Sequence, residues 1–303
     1  MKRLVHLLAL VTLVTLAACG DDGGKPAATG GVIPTQPTAA ATGATASPQR
    51  IVSLSATATE TLFAIGAGKQ VVAVDDQSNY PPEAPKTDLS GYTPNIEAIA
   101  AKKPDLVVIS TDTGGLKAKL EALKITVVRQ DAVSTLDQAY AQITELGKAT
   151  GHDKEAAATV ASMKAGINAS LQKVKKPAVS VKVYHELDDT LYSVSSKSFI
   201  GALYTLVGLT NIADAADKDG TGYPQLNAEY IISRNPELIF LADTKCCGQS
   251  VKTVAARPGW ADLKAVKAAG VIELDDDIAS RWGPRTPLLL DAIATAVARL
   301  VNA

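Results

Sequence analysis

The chain has 303 residues, a formal net charge of −1 and 47% hydrophobic residues. This balanced charge gives no basic surface of the kind that nucleic acids require, so we expect no nucleic-acid partner. Beyond the first 18 residues, no apolar stretch approaches the length of roughly 18 residues that a membrane span needs.

Residues 1–18 have the pattern of an export signal. A basic start at residues 1–3 precedes an apolar run over residues 4–16, and small residues stand directly before Cys19. The run is too short for a mature membrane span and fits a cleaved signal. Small residues before a cysteine resemble the bacterial lipobox, which implies cleavage before Cys19 and lipidation of its thiol. An ordinary signal peptide is the alternative.

Residues 19–48 consist mainly of Gly, Ala, Thr, Pro and Ser. Such a composition buries too little apolar surface to offset chain ordering, so it predicts a flexible tether. With a lipidated Cys19, the tether would hold an exported body on the outer face of the cell membrane or on its periplasmic side. The remaining chain of about 250 residues is long for one core and sufficient for two lobes.

Strand and helix patterns alternate through residues 49–132, which we predict to form an N-terminal α/β lobe. Continuous apolar runs predict strands buried on both faces, as in parallel sheets. The predicted strands are residues 50–54, 71–74, 106–109 and 125–128, and the predicted helices are residues 59–65, 97–103 and 116–123.

Residues 133–177 have helical patterns only. A capping-box variant at residues 134–137 predicts a first helix that ends near Gly147 or Gly151. Asp153 is predicted to cap a second helix, which has apolar residues at the 3.6 period, and Pro177 stops it. A helix of about 21 residues spans roughly 31 Å. We expect it to connect two lobes stiffly and to permit only small lobe movements.

Residues 178–303 repeat the alternation and predict a C-terminal α/β lobe. The predicted strands are residues 179–184, 191–194, 238–241 and 271–274, and the predicted helices are residues 199–207, 228–233, 251–256 and 288–300.

One motif occurs in both predicted lobes. Residues 95–109 read NIEAIAAKKPDLVVI, and residues 227–241 read NAEYIISRNPELIFL, so the two align without a gap. Glu97 and Glu229 occupy the same place, two residues after an Asn that suits a helix N-cap. The repeat predicts two similar lobes, and a cleft between two lobes is a usual place for a ligand.

Four motifs together resemble the class III substrate-binding proteins of ABC importers, which carry cobalamin, ferric siderophores or haem to a permease. They are RIVSLSATATE at residues 50–60, SNYPP at residues 78–82, the repeated E-x-I-x(4)-P-[DE]-L pattern, and SRWGPR at residues 280–285. The resemblance covers about residues 49–302. It implies two α/β lobes with mostly parallel sheets, bridged by one long helix, with the ligand cleft between the lobes. It also implies a permease dimer with its ATPase as partner, and we expect a monomer.

The resemblance further implies a role for the repeated glutamates. In that family the positions of Glu97 and Glu229 form salt bridges to arginines of the two permease subunits. A carboxylate in the first turn also complements the helix dipole, and this effect would coexist with docking.

We expect the ligand at strand ends and in the loops that follow them. The predicted ligand-binding residues are Ser55, Ala56, Tyr80, Tyr92 and Thr111 in the first lobe and His185, Tyr192, Tyr223, Arg281 and Trp282 in the second. Tyr92 and Tyr223 hold matching places in the repeat, and aromatic faces suit large flat ligands. Arg281 matches a family position that contacts ligand, and guanidinium suits carboxylates, phosphates or chelate oxygens. Simple packing is the alternative for Tyr80, Tyr192 and Trp282, and a satisfied polar role is the alternative for His185.

The ligand predicted from these features is a ferric-siderophore or cobalamin-type chelate, with no cofactor and no directly bound metal. An acidic stretch, residues 185–189, replaces an aromatic cluster of the family, which leaves iron chelates open beside cobalamin. Haem could be ligated by His185 with Tyr184 or Tyr223. A free zinc or manganese site is disfavoured because only His152 and His185 lie outside the signal. No nucleophile elbow, phosphate loop or Ser/His/Asp set indicates an enzyme, so no catalytic residue is predicted.

Cys246 and Cys247 are adjacent. An exported protein favours oxidation, so a strained vicinal disulfide is one expectation and two free thiols are the other. Metal binding would need about four ligands at wider spacing.

Overall fold

The computed structural model describes residues 47–174 and 180–302. The predicted signal, the lipidated Cys19, all but the last two residues of the tether, and the helix stop at Pro177 lie outside these residues. Within the described ranges, no helix is both long and apolar enough to cross a bilayer.

Two four-stranded sheets, each wholly parallel, form the framework of the molecule. The first has the order β2-β1-β3-β4 and the second the order β6-β5-β7-β8, so the two sheets have the same connectivity. The strands are β1 Ile51–Leu54, β2 Val71–Val74, β3 Leu106–Ile109, β4 Thr126–Arg129, β5 Val181–Glu186, β6 Leu209–Asn211, β7 Leu238–Leu241 and β8 Val271–Glu273. Of the four central strands, β1, β3 and β7 are buried at every position and β5 at every position but Lys182, as expected for parallel strands covered on both faces. The predicted fold class is confirmed.

Helices surround both sheets. They are α1 Ala56–Ala64, α2 Ile96–Ala101, α3 Leu116–Ala122, α4 Leu136–Thr150, α5 Asp153–Gln172, α6 Phe199–Leu206, α7 Ala228–Arg234, α8 Thr244–Cys247, α9 Val251–Ala255, α10 Lys264–Lys267, α11 Asp276–Ala279 and α12 Thr286–Asn302. Short 3-10 turns occur at Ala67–Gln70, Thr113–Gly115, Ile212–Ala215 and Trp260–Asp262.

Several local predictions differ from the structure. Helix α1 begins at Ala56, three residues before its predicted start, and His152, not Asp153, is the N-cap of α5. Residues 191–194 do not form a strand, because Leu191 has a left-handed backbone (φ 69°) that interrupts extension. The neighbouring Tyr192 makes only an isolated bridge to Gln225, and β6 is the strand at this edge. The capping box of α4 lies one residue later than predicted and uses Thr135 with Gln138.

Helix α5 is shared by the two lobes. Its first part buries Ala156 and Met163 in a core beside the first sheet. Its last part buries Ile167 in a core beside the second sheet. The preceding helix ends where Gly151 adopts a left-handed backbone (φ 78°), which glycine permits without strain. A single stiff helix therefore bridges the lobes, whereas the lobe boundaries at residues 132 and 177 stay predictions.

A buried charged cluster lies in the second lobe. The Glu186 carboxylate is fully buried and accepts two hydrogen bonds from Arg257, at 2.7 and 2.5 Å. The Arg257 guanidinium lies 4.5 Å from the centre of the Trp260 ring.

Asp243 is also fully buried, and neither of its carboxylate oxygens accepts a hydrogen bond from the described residues. Burial, together with the neighbouring Glu186 charge, raises the pKa of Asp243 to about 7. A proton on Asp243 lets this carboxyl donate to Glu186, which satisfies the pair.

Replacing Asp243 with asparagine is therefore expected to stabilise the protein above neutral pH. The pKa of Asp243 is about 7 in the folded protein and 3.8 when unperturbed, so the charged carboxylate is less favourable in the folded state. The loss of folding free energy is complete once the pH has risen through about 7. Asp243→Asn keeps a donor for Glu186 without a titratable charge. We expect a gain of about 1–2 kcal/mol at pH 8 that shrinks toward zero at pH 4. Urea unfolding at both pH values measures it, with the exposed Asp189→Asn as control, and an equal gain at both pH values would contradict the assignment.

Candidate functional site

A cavity of about 230 Å³ lies between the two lobes. Its walls come from the carboxyl ends of β1, β2 and β3 and from the segment around α11. The carboxyl ends of the strands are where open parallel sheets usually bind ligands. The lining residues are Leu54, Ser55, Ala56, Thr57, Asp75, Gln77, Gly91, Tyr92, Ser110 and Thr111 of the first lobe and Asp277, Ser280, Arg281 and Trp282 of the second.

Local structure places the first-lobe wall. Ser55 ends β1 and caps α1, because its hydroxyl accepts a hydrogen bond from the Ala58 amide at 3.3 Å. Asp75 directly follows β2 and accepts a 2.5 Å hydrogen bond from the Ser78 hydroxyl. Burial raises the pKa of Asp75, although Ser78 and the Arg281 charge oppose the shift. The first-lobe wall therefore presents hydroxyls around a carboxyl that is easier to protonate than usual.

Beside this cavity, a buried ion cluster joins the lobes. We define the interlobe lock as Glu60 on α1, Arg281 and Arg285 before α12, and Tyr80. The Glu60 side chain is 1% exposed and accepts from Arg281 at 2.7 Å and from Arg285 at 2.8 and 2.5 Å. The Arg285 guanidinium lies 4.1 Å from the centre of the Tyr80 ring. One first-lobe carboxylate thus holds two second-lobe guanidinium groups.

Further polar contacts lie near the lock, and those of Arg281 with Gln77 and of Asn79 with Asp277 cross the cleft. Arg281 also donates to the Gln77 carbonyl oxygen at 3.0 Å and to the Asp277 carboxylate at 2.8 Å. The Asn79 amide donates to both oxygens of Asp277 at 3.1 Å. Arg281 is therefore already ion-paired with Glu60, which it shares with Arg285, and with Asp277, which it shares with Lys245.

Six of the ten predicted ligand-binding residues line the cavity: Ser55, Ala56, Tyr92, Thr111, Arg281 and Trp282. Tyr92 has a 74% exposed side chain, which is unusual for a large aromatic residue. The Trp282 indole NH donates to Gln142 on α4 at 2.8 Å, so Trp282 also ties the second lobe to the helical segment of residues 133–177. These positions agree with a ligand site, and the contacts with ligand stay predictions.

The structure corrects the expectation for His185. Its ring is fully buried in the second lobe, and its Nδ1 lies 2.6 Å from the Tyr204 hydroxyl. Burial lowers the pKa of His185 to about 3, so the ring is neutral at physiological pH. Tyr184, the suggested axial partner for haem, is also fully buried and donates to Glu186. Neither side chain reaches the cleft, because both point into the packed interior beside β5.

Three predicted tyrosines lie outside the cavity lining. Tyr80 belongs to the interlobe lock, where Arg285 covers its ring. Tyr192 and Tyr223 are about two-fifths exposed, and Tyr192 faces Gln225 in an isolated bridge. Their predicted contacts with ligand therefore have no support from the cavity geometry.

The repeated glutamates hold equivalent places in the two lobes. The Asn95 side chain caps α2 by accepting from the Ala98 amide at 3.0 Å, and the Asn227 side chain caps α7 by accepting from the Tyr230 amide at 2.8 Å. Glu97 and Glu229 lie exposed in the first turns of these helices. Neither makes a salt bridge within the described part of the chain. Both carboxylates are available to a partner at the strand-end side of the lobes.

The sulfur atoms of Cys246 and Cys247 are paired at the end of α8. The preceding Lys245 donates to Asp275 at 2.7 Å and to Asp277 at 2.8 Å. In residues 47–174 and 180–302, no group of three or more His, Cys, Asp and Glu side chains is arranged to hold a metal ion.

A larger and mostly apolar cavity, of about 500 Å³, lies away from the cleft between α4, α5 and α6. None of the predicted ligand-binding residues lines it. The cleft cavity is smaller, but it combines strand ends of one lobe with a loop of the other.

Sequence reasoning missed five polar lining residues of the cleft, Asp75, Gln77, Ser110, Asp277 and Ser280. Asp75 had a usable signal, since it follows the buried strand β2 directly and strand ends form the cleft. Asp277 is the last of three consecutive aspartates at 275–277, and only the folded structure shows that it faces Arg281 and Asn79.

Comparisons with known proteins agree with this architecture. The family model described as periplasmic binding protein matches residues 51–278. The chain is 31% identical over 249 residues to the uncharacterized ABC transporter substrate-binding lipoprotein YvrC of Bacillus subtilis, covering 78% of this chain and 76% of that protein. It is 32% identical over 270 residues to the vitamin B12-binding protein of Pectobacterium atrosepticum, covering 86% of this chain and 92% of that protein.

A solved structure extends the likeness to three dimensions. The periplasmic vitamin B12 binding protein BtuF of Vibrio cholerae superimposes with a TM-score of 0.67 at 25% identity, covering 84% of this chain and 96% of that one. The resemblance drawn from the four sequence motifs is thereby confirmed. The shared sheets, the bridging helix and the family match lead to one conclusion: the chain belongs to the periplasmic binding protein family.

Proposed function

We propose that this substrate-binding protein of an ABC importer captures an uncharged metal chelate with an amide-rich and hydroxyl-rich periphery, and that a cobalamin-type corrinoid is its first candidate. The observation that carries the proposal is the chemistry of the cleft cavity. Six lining side chains bear hydroxyls, whereas the guanidinium of Arg281 is already paired with Glu60 and Asp277.

Charge balance at the cavity favours an uncharged ligand. The ionisable lining residues are Asp75, Asp277 and Arg281, apart from the phenol of Tyr92. An anionic ligand would meet two carboxyls and would compete with Glu60 for Arg281. Desolvating such an anion without a free partner is costly. Hydroxyls act as both donors and acceptors, which suits amide groups on a ligand.

The acidic stretch at residues 185–189 does not count against a corrinoid. Glu186 is fully buried and paired with Arg257, and Asp188 accepts from Thr190 within its own turn. Neither lines the cavity. Because the acidic stretch is no objection to a corrinoid, the similarity to vitamin B12-binding relatives is a direct reason to test a corrinoid first.

Cavity size limits how such a ligand would bind. Sites that enclose drug-sized ligands have volumes of roughly 300–1,000 Å³, and this cavity has about 230 Å³. We infer that one edge of the chelate enters the cavity while the rest lies in the open cleft. We infer that the exposed ring of Tyr92 contacts that outer part.

We further propose that Glu97 and Glu229 dock the loaded protein on a permease dimer driven by its ATPase, and that Cys19 anchors the protein through lipid. The relative YvrC is named a lipoprotein, which supports the anchor. The matching family and the B12 relatives are binding proteins, which supports binding without catalysis.

A titration panel tests the ligand class. The purified protein is titrated with cyanocobalamin, an uncharged ferric hydroxamate, a ferric catecholate, hemin, Zn²⁺ and Mn²⁺, followed by intrinsic fluorescence and calorimetry. We expect cyanocobalamin or the hydroxamate to bind about 100-fold or more tightly than the anionic chelates, a difference of roughly 2.7 kcal/mol. Tightest binding of hemin, of the catecholate or of a bare ion would overturn the proposal.

A further inference from the structure

The interlobe lock connects residues that are very distant in the sequence. Glu60 is 221 residues from Arg281 and 225 residues from Arg285. Glu60 does not itself line the cleft cavity. Its contacts nevertheless cross directly from α1 of the first lobe to the loop before α12 of the second.

Each side of the lock carries part of the cavity wall. Helix α1 holds Glu60 and, about one turn earlier, the lining residue Thr57, and the lining residue Ser55 is its N-cap. The loop of residues 280–285 holds both lock arginines and the lining residue Trp282. Any change in the lock geometry therefore moves two opposite walls of the cavity relative to each other.

A buried ion cluster adds little net stability, but it fixes the distance and orientation of the groups that it joins. Removing charges from water costs about as much as their attraction returns, so apolar replacements are often neutral or stabilising. Two guanidinium groups on one carboxylate, however, fix distance and orientation more strictly than an apolar contact does. The Tyr80 ring supports Arg285 from the first lobe and adds to this restraint.

We propose that Glu60 is a positioning residue that holds the lobes at a set separation through Arg281 and Arg285, so that the cleft is formed before ligand arrives. Helix α5 connects the lobes at one place, and the lock restrains them at a second place beside the cavity. A preformed cleft binds more tightly because less ordering remains to be done on binding. The effect on ligand affinity rests on the proposed function, whereas the effect on lobe separation does not.

The second lobe offers a matched control for this proposal. Arg285 and Arg257 each pair with a buried glutamate, and their side chains are 17% and 18% exposed. Each guanidinium also lies over an aromatic ring, Tyr80 at 4.1 Å and Trp260 at 4.5 Å. They differ in that the Arg285 contact crosses between lobes and the Arg257 contact stays within one lobe.

The experiment compares Arg285→Gln and Glu60→Gln with Arg257→Gln in the full chain. Small-angle X-ray scattering and hydrogen–deuterium exchange are measured without ligand, and cyanocobalamin is then titrated. We expect both lock variants to broaden the distance distribution, to raise exchange in α1 and in residues 280–285, and to weaken cyanocobalamin binding about tenfold or more. Arg257→Gln is expected to lose stability to a similar degree while keeping the parent's lobe separation and affinity.

Two outcomes overturn the proposal. One is unchanged scattering and exchange in both lock variants, and the other is an Arg257→Gln variant that separates the lobes equally. If cyanocobalamin does not bind even the parent protein, the ligand proposal fails, and the scattering and exchange results still decide the role of Glu60. The milder Arg285→Gln decides the case if Glu60→Gln does not fold.

Discussion

Replacing Glu97 and Glu229 together with alanine is expected to abolish ligand uptake while changing ligand affinity by less than about twofold. Both side chains are exposed in the first turns of equivalent helices and line no part of the cleft cavity. Charge pairs at an interface chiefly set register and encounter rate, so their loss prevents productive docking. Uptake of labelled cyanocobalamin is measured in cells that carry only the variant, and affinity is measured on the purified protein.

The control removes the same charge elsewhere. Glu121→Ala with Asp262→Ala deletes one exposed carboxylate from each lobe, and the single salt bridge of each lies on the surface. This pair is expected to leave uptake unchanged. If the control variant reduced uptake as much as the Glu97 and Glu229 variant does, the loss of negative charge alone would explain the effect. The proposal of specific docking would then be wrong.

Replacing Tyr92 with alanine is expected to weaken chelate binding about tenfold, because one face of the ligand loses its aromatic contact. The Tyr92 side chain is 74% exposed, so its removal should leave the melting temperature within about 1 °C of the parent. Titration of cyanocobalamin and a thermal melt measure the two quantities. Tyr92→Phe keeps the ring and loses only the hydroxyl, so it should weaken binding much less than Tyr92→Ala does.

Tyr192→Ala serves as the matched comparison, since Tyr192 is exposed but does not line the cavity. It is expected to bind cyanocobalamin normally. Equal weakening in Tyr92→Ala and Tyr192→Ala would show that the described cavity does not mark the ligand site.

The repeated motif made much of the fold predictable. Local signals in it, an Asn N-cap and a continuous apolar strand, need only neighbouring residues to take effect. Helices α2 and α7 and strands β3 and β7 therefore lie where residues 95–109 and 227–241 predict them. Helix α5 was equally predictable, because apolar residues that recur every 3.6 positions indicate which face of a helix is buried.

The contacts of the interlobe lock and the burial of the His185 ring could not be predicted in the same way. Glu60 and Arg285 meet only after both lobes have folded, and one sequence carries no local sign of a contact across 225 residues. His185 looked like a ligand because it ends an apolar run near the cleft. Whether such a side chain faces the core or the cleft depends on how helices cover the sheet, which here places Tyr204 against the His185 ring.

The shared helix α5 also bears on how the molecule gains and loses its structure. Ala156 and Met163 complete one core and Ile167 completes the other, so neither lobe can bury its apolar surface without this helix. Partial melting of one lobe would strip the other of part of its core, which makes half-folded states unfavourable. The two sheets should therefore unfold in one cooperative transition, as a single small domain does, despite the cleft between them. Fragments cut between α5 and β5 would be incomplete alone and would tend to reassociate through the face of α5 that each half needs.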